Sequence, residues 1–85
     1  MVNLKILIEV MKKFNIDAKY INDSLIEMDG TKVHLLGNMI SFGKCRSRFS
    51  DVYDILSVLN QEEVIFCNTD MKFKIKSTYS ELLHI

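Results

Sequence analysis

The sequence predicts an α+β fold, in which an N-terminal helix packs on a three- to five-stranded antiparallel sheet and a second helix, a C-terminal hairpin and a short terminal helix follow. Three observations carry this expectation. Apolar residues recur at helical spacing over positions 4–14. Two glycine-containing pairs, Asp29-Gly30 and Gly37-Asn38, divide alternating apolar and polar runs at the length of tight reversals. Ser50 stands as an N-cap before a second apolar stripe. Eighty-five residues, 48% hydrophobic and 26% charged, suit a single compact domain spanning 1–85 and leave no room for a second.

In the first segment Leu4, Leu7, Ile8, Met11 and Phe14 form one stripe, with Asn3 as N-cap and Ile6 and Val10 widening the apolar face. A face that wide is expected to lie across a sheet. Residues 18–21, turned at Asn22-Asp23, are expected to add an edge strand. Asp-Gly supplies the positive φ angles of a two-residue type I′ turn, so Glu27 should face Lys32, Ile26 face Val33, and Leu25 face His34. At Gly37-Asn38 the next reversal should set Leu36 opposite Met39 and Leu35 opposite Ile40. One face of the sheet then reads Ile26, Met28, Val33, Leu35, Ile40, Phe42, and should meet the first helix.

Beyond Phe42 the register conflicts with burial, because an unbroken strand would put Lys44 and Arg46 on the buried face. Gly43 must therefore bend, bulge or end the strand, so that Cys45 and Phe49 point inward and Lys44, Arg46 and Arg48 outward. The second helix is expected from Ser50 to about Asn60, with Val52, Ile55, Leu56 and Leu59 inward. Residues 64–67 and 71–76, separated by Asn68-Thr69-Asp70, read as two strands of a closing hairpin. Thr78-x-x-Glu81 has the form of a capping box before Leu82, Leu83 and Ile85.

Eleven basic and eleven acidic residues cancel, which sets the chain apart from strongly basic nucleic-acid binders and strongly acidic mimics of nucleic acid. The charge is nevertheless segregated: residues 44–49 carry +3, residues 50–70 carry −5 and residues 71–85 carry +2. Two basic stripes at every second residue, Lys44/Arg46/Arg48 and Lys72/Lys74/Lys76, would each present three charges on one face of a strand and could grip phosphates. The order helix, three strands, helix is also that of double-stranded-RNA-binding modules. Those modules hold phosphates with lysines at the start of the second helix, where this chain carries Ser50-Asp51-Val52-Tyr53-Asp54, which would repel them.

No catalytic constellation is expected. Asp51 and Asp54 stand where a helix dipole favours carboxylates. His34 and Cys45 are too far apart along the sheet for a nucleophile and its base. Cys67 lies in an apolar run as a small hydrophobe. Two histidines and two cysteines lack metal-ligand spacing, and no glycine-rich nucleotide loop occurs, so neither metal nor cofactor is expected. Free thiols, the absence of a signal-peptide pattern and the lack of a long apolar run point to a cytoplasmic protein off the membrane.

The second face of the sheet would carry Leu25, Glu27, Lys32, His34, Leu36, Met39 and Ser41, with Tyr20 beside them. Leu25, Leu36 and Met39 are costly choices for a surface meant only for water, so the closing hairpin, a second copy of the chain or a partner protein should cover them. The functional expectation is a small non-enzymatic protein-binding module, a regulator or inhibitor on the scale of those that phages and mobile elements direct against host systems. Its contact residues would be Tyr20, Leu25, His34, Leu36, Met39, Lys44, Arg46 and Arg48. The alternative is a nucleic-acid-binding domain that uses both basic stripes.

Overall fold

A computed structural model describes residues 2–84. In chain order the elements are α1 (Leu4–Lys13), β1 (Lys19–Asn22), β2 (Leu25–Met28), β3 (Thr31–Leu36), β4 (Met39–Phe42), β5 (Cys45–Arg48), α2 (Val52–Gln61) and α3 (Thr69–Leu83). The five strands form one antiparallel meander in sequence order.

Short reversals set the register. Asp29 and Gly30 take φ angles of +49° and +79°, the left-handed pair that a type I′ turn requires, and Met28 faces Thr31 across it. Ile26 pairs with Val33, Leu25 with His34, Leu35 with Ile40 and Leu36 with Met39, as the turn residues require. Ile26, Met28, Val33, Leu35, Ile40 and Phe42 are all buried on one face. Gly43 ends β4 by reversing the chain: with φ +54° it opens a second Gly-first turn through Lys44, and Cys45 pairs back onto Phe42. The bend expected at Gly43 is thus a full hairpin, which makes residues 45–48 a fifth strand.

All three helices lie on the buried face of the sheet. α1 is capped by Asn3, whose Oδ1 accepts from the Ile6 N–H at 3.1 Å, and buries Leu4, Leu7, Ile8, Val10 and Met11. The cap of α2 is Asp51, one residue later than expected. Its carboxylate accepts from the Asp54 N–H at 3.0 Å, which satisfies one orphan donor of the helix, and Asp54 in return accepts from the N–H of Ser50, the residue before the cap, at 2.9 Å. α2 contributes Val52, Ile55, Leu56 and Leu59 to a core continuous with that of α1 and the sheet.

The expected closing hairpin is overturned. Residues 64–67 run without a partner strand, placing Ile65 and Cys67 in the core, and the Cys67 N–H donates to Asn60 Oδ1 at 3.0 Å. Residues 71–76 belong to α3, a helix of 15 residues whose Asn68 cap accepts from the Met71 N–H at 2.9 Å. Met71, Phe73 and Ile75 alternate, but Met71, Ile75, Tyr79 and Leu82 also recur at helical spacing, and the longer pattern wins because it buries Ile75 and Tyr79. Thr78-x-x-Glu81 therefore lies inside a helix and caps nothing. Leu82 and Leu83 fall at the end of α3 or close to it, while Ile85 lies outside the described residues.

Candidate functional site

Because α3 joins the helix layer, no element of the described residues folds over the second face of the sheet. That face is built of three rows running across the strands. Lys19, Glu27 and Lys32 form one row; Asn22, Leu25, His34, Ser41 and Arg46 the next; Leu36, Met39 and Arg48 the third. None of these side chains is buried, and Leu36 is 64% exposed. Every second residue of each strand faces outward, so the register set by the turns places them together.

His34, Leu36, Met39, Ser41 and Arg46 line a shallow hollow of about 280 Å³ at the centre of the face. Arg48 stands beside it in the third row and Lys19 and Lys32 share the same face in the first row, with Glu27 as the single carboxylate among the paired outward residues. Glu27 sits between Lys19 and Lys32, its cross-strand neighbours, which leaves the two arginines without an acidic residue in their rows. A chain of zero net charge thus concentrates positive charge on one surface. Such a surface attracts an acidic partner and offers an apolar centre for it to cover.

Of the residues expected here, Leu25, His34, Leu36, Met39, Arg46 and Arg48 are brought onto this face, and Lys44 sits at the tip of the β4–β5 turn. Tyr20 is not: it pairs with Ile26 and so belongs to the helix side of the sheet, where its ring lies 5.7 Å from Lys5 Nζ and its hydroxyl donates to Asp23. That hydrogen bond holds the Tyr20 phenol above its usual pKa. The sequence reading missed Lys19, because β1 is short and bulged between Tyr20 and Asn22, so its alternation could not be phased. Arg46 and Arg48 face outward for a reason that was visible: Gly43-Lys44 has the same Gly-first form as Gly37-Asn38.

The second basic stripe does not exist as a surface. On α3, Lys72 and Lys76 lie one turn apart and Lys74 projects elsewhere. Lys72 Nζ is 3.3 Å from Ser57 Oγ and 5.3 Å from the Tyr53 ring centroid; Lys76 pairs with Asp51 at 2.8 Å and Lys74 with Asp70 at 3.1 Å. A period-2 reading of a helix created the apparent stripe.

Other chemistry is scattered. Cys45 faces Phe42 on the helix side while His34 faces Ser41 on the open side, so the sheet separates them. Burial, with Glu62 nearby, raises the Cys45 thiol pKa, and burial raises that of Cys67, the direction opposite to an activated thiolate. Among the described residues no three His, Cys, Asp or Glu side chains gather as a metal site. A hollow of about 400 Å³ between α3 and the start of α2 is lined in part by Asp51 and Lys76, whose charges already engage each other. No helix of the described residues is long and apolar enough to cross a membrane. No family model, curated protein or solved structure matches the chain.

Proposed function

We propose that this chain is a small non-enzymatic protein-binding module, a regulator or inhibitor that seats an acidic partner protein on the open face of its sheet. One observation carries the reading: a sheet covered by helices on one side leaves Leu36 exposed and Met39 and Leu25 half-buried on the other, on a face shared with Lys19, Lys32, Arg46 and Arg48. Single apolar residues on a surface are ordinary, but three that are neighbours across adjacent strands form a patch. Nucleic acid is the weaker candidate for two reasons. The outward rows hold no Phe, Tyr or Trp and only the His34 imidazole as a ring on which a base could stack, and the lysines of α3 are engaged with Asp51, Asp70, Ser57 and Tyr53.

Affinity capture from native lysate with the tagged chain, with and without nuclease, tests this. An acidic protein retained after nuclease treatment is the expected result. Material that disappears with nuclease, or capture of nothing, contradicts it.

A further inference from the structure

The two edges of the sheet differ. The β1 edge is irregular, shifted in register between Tyr20 and Asn22, and α1 packs beside it with Lys5 over Tyr20. Bulges and flanking elements of this kind protect an edge against pairing. By contrast the β5 edge is regular, with four consecutive residues paired to β4 and no bulge.

The free hydrogen-bonding groups of β5 can be assigned. A two-residue turn makes Phe42 and Cys45 a hydrogen-bonded pair, so Ile40 and Ser47 are the next one and the N–H groups of Arg46 and Arg48 point away from β4. The Phe49 N–H donates to the Asn38 carbonyl at 2.9 Å, which fixes this phase. Among the described residues no protein group accepts from the Arg46 or Arg48 N–H, and the Arg48 carbonyl receives only the Ser47 hydroxyl at 3.4 Å. The same two residues aim their guanidinium groups onto the open face, and neither is ion-paired among the described residues.

We infer that β5 takes a sixth strand from an acidic partner: an extended segment with Asp or Glu at alternate positions, facing Arg46 and Arg48, and small or apolar residues between them, facing Cys45 and Ser47. This rests on the open-face reading and specifies how that partner is held. Main-chain hydrogen bonds to Arg46 and Arg48 supply the pairing, and the two guanidinium groups select the sequence. A second copy of the chain is disfavoured, because antiparallel pairing of β5 with itself sets arginine against arginine on one face.

The test uses the whole chain and two synthetic peptides of identical composition, one alternating glutamate with valine and one with the glutamates contiguous. Binding is measured by calorimetry, and backbone amide exchange is followed by NMR. The alternating peptide should bind roughly tenfold tighter than the contiguous one and slow exchange at the Arg46 and Arg48 amides. Arg46→Glu with Arg48→Glu should lose that peptide and gain one that alternates lysine with valine, an exchange of preference that a misfolded variant cannot produce. No binding at millimolar peptide overturns the inference. So does binding of oligothymidine in preference to the peptide. Binding that leaves the β5 amides unprotected but is lost in Leu36→Asp ends the edge inference while sparing the open-face reading, whereas β5 protection unaffected by Leu36→Asp upholds the edge alone.

Discussion

At the scale of single residues, the backbone asks for glycine where the sequence supplies something else. Both α1 and α2 end in a Schellman arrangement: the Ile16 N–H donates to the Met11 carbonyl and the Val64 N–H to the Leu59 carbonyl, at 3.0 Å and 2.9 Å. The left-handed residues at these ends are Asn15 and Glu63, with φ +62° and +60°. Asparagine adopts that region readily, whereas glutamate adopts it only at a steric cost. Glu63→Gly should therefore raise stability by about 0.5–1 kcal/mol, read by chemical denaturation. Asp51 is the opposite case, a residue well suited to its place. The Lys76 ammonium and the Asp54 N–H hold its carboxyl below the usual carboxylate range. A carboxyl with a lowered folded pKa contributes stability that is fully present above its unfolded pKa and is lost as the pH falls through the folded one. Asp51→Ala should cost about 1 kcal/mol at neutral pH by loss of the cap. Asp51→Asn keeps the cap, so its smaller difference from the parent should fade between neutral pH and pH values below the carboxylate range. Both partners are more than a third exposed, so salt should shrink that difference too.

At the scale of elements, α3 and β5 mark where the pattern could be read and where it could not. Residues 71–76 satisfy two periods at once, and six residues are too few to choose between them. Ile75 is fully buried while Phe73 is 56% exposed with its ring 4.9 Å from that of Tyr53. Ile75→Ala should cost about 3 kcal/mol and Phe73→Ala about 1 kcal/mol or less. Comparable costs would mean the two residues share a strand face, against the helix. The three strands between Leu25 and Phe42 were legible because Asp29-Gly30 and Gly37-Asn38 fix both turn length and register, and a shift by one residue would bury Lys32 and His34. The β4–β5 reversal was legible only as a conflict of register at Gly43, and the short β1 only as a guess at an edge.

At the scale of the molecule, three helices crowd one side of a five-stranded sheet and leave the other to solvent. The open face was readable from the sequence, but whether it stayed open was not, because that depended on which period residues 71–76 obeyed. Once α3 joined the helices, the closing hairpin was lost as a cover for the face and the α3 lysines as a phosphate-gripping stripe, while Tyr20 left the contact residues because its pairing with Ile26 turns it to the helix side. Apart from Leu36, the large apolar side chains exposed among the described residues are Ile21, Phe66, Phe73 and Leu83, and Phe66, 84% exposed in the stretch after α2, is the foremost rival to the sheet face. The affinity of the captured partner for Leu36→Asp and for Phe66→Ser, each against the parent chain, separates them. A loss of at least roughly tenfold with Leu36→Asp and no change with Phe66→Ser is the outcome expected of a partner seated on the sheet. The reverse order would contradict it.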